Sequence, residues 1–288
     1  MFSMNRLSTE KRGQVVGLLC EGMSIRAIAR VTGVARNTVD KLLGDLGTAC
    51  TEYMDAAFRN LDCKIIEADE IWAFCYSKAK NVPIEHEGEF GYGDVWTWTA
   101  IDAETKLVPS WLVGERSVAD CYTFLADLKS RLKPGRIQLT TDGLSVYATV
   151  ADALWRNSVD FAQLIKVYGG LGSENPEQRY SPGACTGTYI RIMAGNPDPA
   201  HISTRYVERQ NLTIRMGMRR FTRLTNAFSK KVENHAHAVS LHFMHYNYCR
   251  PHKTLTKRFG TPTTPAMAAG LARYPWSLTQ LAQLLESN

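Results

Sequence analysis

Apolar positions in the first 47 residues recur with the spacing of short α-helices. The pattern predicts helices at 9–20, 25–31 and 35–46, with Ser24 placed to cap the second helix. A Gly-containing turn at 32–34 separates the second helix from the third. A short helix, a tight turn and a second helix together are typical of a helix-turn-helix unit.

The last helix of such a unit enters the DNA major groove and places its first side chains at base edges. At those positions the sequence carries polar and basic side chains rather than Glu or Ala. The side chains predicted to contact DNA are Arg36, Asn37, Thr38 and Lys41. A small helical interaction domain that makes no DNA contact is the alternative interpretation.

Beyond residue 62 the pattern changes to that of an α/β fold. Alternating and β-branched segments predict five strands, at 64–72, 95–102, 106–114, 136–143 and 163–170. Amphipathic segments predict helices at 118–132 and 145–155. This order of elements predicts a mixed five-stranded sheet with flanking helices, preceded by the all-α helix-turn-helix domain.

The rest of the chain is predicted to be helical after one irregular segment. Residues 169–200 are rich in Gly, Pro, Ser and Asn, which predicts an insertion or loop. Long helices are predicted at 202–231 and 229–248, and short ones at 265–271 and 278–285. The predicted organisation is a helix-turn-helix domain at 1–47, a linker at 48–62, an α/β domain at 63–250 and a C-terminal helical tail at 251–288.

Positive charge is concentrated in one part of the chain. The 288 residues carry a net charge of +6, but residues 204–258 hold 12 Lys and Arg against two acids, a local excess of +10. Such a basic region favours a phosphate-backbone partner. The residues of this region predicted to contact DNA are Arg205, Arg209, Asn211, Arg215, Arg219, Arg220, Arg223, Lys230 and Lys231.

Composition also indicates the compartment. Seven cysteines are scattered without paired spacing, which favours free thiols in a reducing cytoplasm over a disulfide framework or a zinc ribbon. No apolar run is long enough to cross a bilayer, and the N-terminus lacks a signal-peptide core. We therefore expect a cytoplasmic, nucleoid-associated protein.

Three carboxylates stand at positions that suit metal binding. Asp69 and Asp142 lie near the ends of the first and fourth predicted strands, and Glu208 lies within the basic helix. They converge if those two strands are neighbours. Three such ligands suit two Mg²⁺ (or Mn²⁺) ions, which together clamp the attacking and leaving oxygens of a displacement at phosphorus.

Each of these acids also has an ordinary structural interpretation. An Asp at a strand end is commonly a turn residue or a helix cap, and Glu208 could simply pair with Arg205 or Arg215. Four further acids are rival ligands: Glu67, Glu70, Asp94 and Asp102.

Four stretches together resemble the DDE transposases of bacterial insertion sequences. They are EADEIWAF, VGERSVAD, LTTDGLSVY and YVERQNLTIRMGMRRFTRLTNAFSKKVENH. The resemblance covers about residues 63–245 and is strongest to the family typified by insertion sequence one. It implies an RNase H-like fold in which Asp69, Asp142 and Glu208 bind the metal ions.

The resemblance further implies a transposase that cleaves and transfers DNA strands with Mg²⁺. Its partners would be double-stranded DNA, both the terminal repeats of the element and the target. A homodimer or higher oligomer would be needed to hold two DNA ends. Two alternatives remain open: a domesticated sequence-specific DNA-binding protein that does not transpose, and an RNase H-like nuclease or resolvase.

Overall fold

The computed structural model describes residues 7–169, 185–222 and 225–286. It begins with three helices, α1 (Thr9–Cys20), α2 (Ile25–Thr32) and α3 (Arg36–Ala57). The Ser24 side chain caps α2, and Gly33 ends this helix in the left-handed conformation with φ 72°. α3 continues for 22 residues through most of the segment predicted as a linker.

Within the described residues, six strands form one mixed sheet in the order β3-β2-β1-β4-β5-β6. β1 pairs in parallel with β4, and β4 pairs in parallel with β5, while the other neighbours are antiparallel. The predicted fold class, a mixed sheet with flanking helices behind an all-α helix-turn-helix domain, is confirmed. The strands are β1 (Ile65–Cys75), β2 (Gly93–Asp102), β3 (Ser110–Gly114), β4 (Ile137–Thr141), β5 (Val159–Tyr168) and β6 (Cys185–Ala194).

The sixth strand is a finding that the sequence pattern did not predict. β6 lies inside the segment 169–200 that was predicted as an insertion or loop, and it pairs antiparallel with β5. Its centre, residues 188–192, is rich in β-branched and aromatic side chains, which favour a strand. Residues 170–184 of the same segment lie outside the described residues.

Helices lie between the later strands and after the last one. α4 (Val118–Arg131) and α5 (Ser145–Trp155) precede β4 and β5, and α6 (Arg205–Gly217) follows β6. The prediction of one helix over 202–231 was wrong, because α6 ends at Gly217 and the chain turns into a short 3₁₀ segment. The turn buries Met218 and Phe221 in the core, and this burial outweighs helix propensity.

α7 (Val232–Met244) is shorter than the predicted helix at 229–248, and its last residues continue as a π-helical turn, His245–Cys249. The described part of the C-terminal tail contains short helices, one of which covers only Pro265–Ala268 of the predicted 265–271. Its helices are α8 (Lys253–Phe259), α9 (Pro265–Ala268) and α10 (Leu278–Gln283).

The helix-turn-helix is packed directly on the α/β part of the chain. The Ser240 hydroxyl of α7 donates to the Gly47 carbonyl of α3 at 2.7 Å and contacts the Thr51 hydroxyl at 2.8 Å. Near the other end of the chain, Glu286 accepts hydrogen bonds from Thr9 and Arg12 of α1. These contacts hold α3 against α7 and α1 against the last described turn of the chain.

Within the described ranges, no helix is long and apolar enough to cross a membrane. All seven cysteines fall in these ranges, and each is a free thiol.

The close approach of α3 and α7 gives a stability prediction. A Cβ added at Gly47 would lie 2.6 Å from the Cα of His237, so Gly47→Ala should lower the free energy of unfolding by about 1–3 kcal/mol. Gly44, one turn earlier, is the matched control, because its added Cβ would lie 4.0 Å from His237. Gly44→Ala should be neutral or stabilising by up to about 1 kcal/mol. Equal effects in urea unfolding would contradict the described packing.

Candidate active site

The register of β1 and β4 brings two aspartates together. Their parallel pairing runs from Ile65 opposite Gln138 to Ala68 opposite Thr141. Asp69, within β1, and Asp142, directly after β4, are the next residues after this pairing. The first and fourth predicted strands are therefore neighbours, which was the condition for convergence of these acids, and this pairing places the two carboxylates at the same end of the parallel pair.

These two aspartates form a compact group with Glu70. Asp69, Glu70 and Asp142 each offer a carboxylate oxygen, and the three oxygens lie within 4.8 Å of one another. We call these three residues the acidic cluster. Glu70 was a rival ligand in the sequence analysis, and the structure makes it a member of this group.

Burial and mutual repulsion make the acidic cluster electrostatically unfavourable when ionised. Burial raises the pKa of Asp69 well above its usual range, and the charges of Glu70 and Asp142 raise it further. Burial, followed by the charge of Asp142, raises the pKa of Glu70 to about 7, although the Arg116 charge opposes this shift. A divalent cation would relieve the repulsion.

The donor set fits a hard divalent cation. The acidic cluster offers only carboxylate oxygens, and Mg²⁺ and Mn²⁺ prefer such ligands together with water. No Cys or His belongs to this group, which distinguishes it from a zinc site.

Arg116 and Tyr147 hold the Glu70 side chain. Arg116 donates from Nε at 2.9 Å and from its terminal nitrogen at 2.5 Å to one Glu70 oxygen, and Tyr147 donates to the other at 3.2 Å. The Arg116 guanidinium also stacks over the Trp96 ring at 4.7 Å. Sequence reasoning did not assign roles to Arg116 or Tyr147, although both lie in stretches that carry the family resemblance.

Glu208 lies on the first turns of α6 and has partners of its own. Both of its carboxylate oxygens accept from Nζ of Lys166 on β5 at 2.5 Å, and Thr204 donates to one of them at 2.5 Å. Its ion-pair partner is thus Lys166, rather than Arg205 or Arg215. The Glu208 charge contributes to raising the pKa of Asp69, and Glu208 is not one of the three members of the acidic cluster.

Asn211 connects α6 to the acidic cluster. Its side-chain amide donates to Asp69 at 2.7 Å, and the residue is only 6% exposed. Asn211 was predicted to contact DNA, but the structure directs its amide to Asp69 inside the protein.

The basic residues predicted to bind DNA are not all on one helix. Arg205 and Arg209 are exposed on α6, and Arg215 is half-buried there. Arg219, Lys230 and Lys231 are exposed between α6 and α7. Arg220 is half-buried and donates to the Ser229 hydroxyl at 2.7 Å, and Arg223 lies outside the described residues. DNA contact by these residues remains a prediction.

Three rival carboxylates have other surroundings. Glu67 is buried and accepts hydrogen bonds from the backbone N–H groups of Tyr206 at 2.7 Å and Val207 at 3.0 Å. Burial raises the pKa of Glu67, and these two hydrogen bonds oppose that shift. Asp102 accepts from the Thr105 N–H and hydroxyl, at 2.8 and 2.6 Å, in the turn after β2. Asp94 is exposed. None of the three belongs to the acidic cluster.

The predicted DNA-reading side chains lie where a helix-turn-helix requires them. Arg36, Asn37, Thr38 and Lys41 are all exposed on the first turns of α3, while Val39 on the opposite side is fully buried. Lys41 pairs with Asp45 at 2.5 Å on the surface of the same helix. This arrangement leaves the start of α3 open to a partner.

The fold and the site define a DNA-binding protein with a candidate divalent-metal centre. Residues 6–44 match the Homeodomain-like domain family. The chain is 27% identical over 176 residues to the insertion element iso-IS1n protein InsB of Shigella dysenteriae, a match covering 61% of this chain and 90% of InsB. These matches confirm the predicted helix-turn-helix and the resemblance to insertion-sequence transposases.

Among solved structures, the chain is loosely similar to the piggyBac transposase synaptic complex with hairpin DNA, determined by cryo-EM. The TM-score is 0.43 and the identity 11%, covering 100% of this chain and 75% of the piggyBac chain.

The raised pKa of Glu70 predicts how stability depends on pH. A carboxyl group whose pKa is higher in the folded than in the unfolded protein stabilises the fold below its unfolded pKa, and this contribution is lost as pH rises through the folded pKa. Wild type should therefore lose up to roughly 3 kcal/mol of unfolding free energy relative to Glu70→Gln between about pH 4.5 and pH 8.

Arg116→Gln provides the matching comparison in the same urea unfolding experiments. Removing this cation removes an influence that lowers the pKa of Glu70, so the pH at which stability is lost should move upward. A constant difference between wild type and Glu70→Gln across this pH range would contradict the described environment of Glu70.

Proposed function

We propose that this protein is a DDE transposase that cleaves and transfers DNA strands at the terminal repeats of an insertion sequence with Mg²⁺. The observation that carries the proposal is the convergence of Asp69 and Asp142 at the end of the parallel pair, beside the helix that bears Glu208. The strand arrangement supports an RNase H-like catalytic domain. Similarity to InsB and the helix-turn-helix support a role in DNA transposition.

The proposed metal ligands are Asp69, Asp142 and Glu208, which would hold two Mg²⁺ or Mn²⁺ ions. When bound, such ions polarise the phosphoryl group and favour deprotonation of the attacking water or 3′-hydroxyl. Glu70 adds negative charge beside Asp69 and Asp142, while its ion pair with Arg116 balances part of that charge. Asn211 orients the Asp69 carboxylate through its amide.

Cationic side chains surround this site and would bind the DNA backbone. Lys166 and Arg116 contact carboxylates of the site from β5 and from the segment between β3 and α4. Arg205 and Arg209 are exposed on α6, where they can neutralise phosphates on either side of the scissile bond. Phosphate contacts of this kind position the DNA without reading its sequence.

Sequence would be read by the helix-turn-helix. Side chains at the start of α3 would contact base edges in the terminal repeats, and the packing of α3 against α7 would set the distance from those bases to the acidic cluster. Joining two element ends to one target requires two sites, so we expect a homodimer or higher oligomer on DNA.

The test is a strand-transfer assay with purified protein, Mg²⁺ and DNA carrying candidate element ends. Asp69→Asn, Asp142→Asn and Glu208→Gln should each lower the rate of cleavage and joining by about 10³-fold, the equivalent of roughly 4 kcal/mol of lost transition-state stabilisation. DNA binding should be retained in all three variants, because the substitutions remove negative charge from a surface that binds phosphates.

Glu104→Gln, at an exposed glutamate after β2, is the control and should behave like wild type. Binding without cleavage in wild type would indicate a DNA-binding protein that does not transpose. Cleavage without joining would indicate a nuclease. Normal joining by Asp69→Asn or Glu208→Gln would exclude the proposed ligand set.

A further inference from the structure

Two polar contacts from β1 hold α6 against the sheet. Glu67 accepts hydrogen bonds from the backbone N–H groups of Tyr206 at 2.7 Å and Val207 at 3.0 Å. Asp69 accepts from the side-chain amide of Asn211 at 2.7 Å. Both acceptors lie on the same strand, two residues apart.

The spacing of the two contacts matches on the strand and on the helix. Residues 67 and 69 point to the same face of β1 and are separated by roughly 6.6 Å, at about 3.3 Å per residue. Residues 207 and 211 of α6 are separated by about 6 Å along the helix axis, at 1.5 Å per residue. The helix is therefore fixed in register with the strand, and Glu208 lies between the two fixed points.

Glu67 completes the cap of α6: the Ser203 hydroxyl accepts from the Arg205 N–H at 3.1 Å, and Glu67 accepts from the next two N–H groups, of Tyr206 and Val207. The first N–H groups of a helix have no partner within the helix, and a side chain just before the helix commonly accepts from them. Here the hydroxyl of Thr204, the residue before α6, donates to Glu208 instead. The Glu67 carboxylate takes its place, and a negative charge at a helix N-terminus is favourable.

Burial makes this contact difficult to replace. Glu67 is 1% exposed, so water cannot substitute for its oxygen at the Tyr206 and Val207 N–H groups. The Lys106 ammonium, from the turn that follows β2, lies over the Tyr206 ring at 3.3 Å from its centre. Tyr206 is thus contacted from β1 and from this turn.

We infer that Glu67 is a positioning residue that fixes α6 on β1 and so sets where Glu208 and Asn211 stand relative to Asp69. The effect of this contact on metal binding rests on the proposed function, but the contact itself does not. Glu67 thus has a role distinct from that of a metal ligand, although its side chain lies on the same face of β1 as that of Asp69.

The contact is tested by amide hydrogen exchange on the full chain. In Glu67→Met the protection of the Tyr206 and Val207 amides should fall by about tenfold, the equivalent of one net hydrogen bond. Glu67→Gln keeps a carbonyl oxygen at the same place and should retain protection. Gln138→Met is the matched control, since the Gln138 amide holds the Asp198 backbone from β4 and does not contact α6. Unchanged protection in Glu67→Met would overturn the inference.

The consequence is tested by Mn²⁺ affinity, measured by calorimetry. Glu67→Met should weaken binding by about 10-fold, as for other residues that orient metal ligands. Glu67→Gln and Gln138→Met should bind like wild type. In a Glu208→Gln background, Glu67→Met should weaken binding less than it does in wild type, because only the contact of Asn211 with Asp69 is left for it to position; a general loss of stability would weaken binding equally in both backgrounds.

The outcomes separate this inference from the proposed function. If Glu208→Gln weakens Mn²⁺ binding and Glu67→Met does not, the metal site stands and the positioning role is wrong. If wild type binds no Mn²⁺, or Asp69→Asn leaves binding unchanged, the proposed metal site itself is contradicted, whatever the exchange data show for Glu67.

Discussion

The register of β1 against β4 is the constraint on which the candidate site depends. Hydrogen bonding holds neighbouring strands about 4.8 Å apart, so residues in register remain close where the pairing ends. Here it ends after Ala68 and Thr141, and Asp69 and Asp142 follow. A slip of one residue on either strand would turn its carboxylate to the opposite face of the sheet. Every other feature of the site, including the position of α6, is built around this pair.

The acidic cluster concentrates like charges in a buried place, which opposes folding and favours cation binding. The protein offsets part of this cost with Arg116, Tyr147 and Asn211, each of which donates to a carboxylate of the cluster. Such local electrostatic strain is typical of functional sites, where stability is lost in exchange for binding. The Lys166 ammonium likewise balances the negative charge of Glu208 at the edge of the site.

The sequence was informative where the chemistry follows local pattern. The end of the fourth predicted strand located Asp142, and the turn at Gly33 located the helix-turn-helix. Asp69 lies within β1, which continues to Cys75 beyond the predicted strand end at residue 72. The sequence was not informative where tertiary contacts determine the secondary structure or the partner of a side chain. Burial of Phe221 breaks the predicted long helix, and pairing with β5 makes a strand within a Gly- and Pro-rich segment. The pairing of Glu208 with Lys166 joins residues on separate elements, which no periodicity along the chain encodes.

The most direct test of the central claim is anomalous diffraction from crystals of the protein grown with Mn²⁺. We expect anomalous peaks at the carboxylates of Asp69 and Asp142, with Glu208 among the ligands, and loss of these peaks in Asp142→Asn. Mn²⁺ bound elsewhere while Asp69 and Asp142 remain without metal would contradict the proposed metal site.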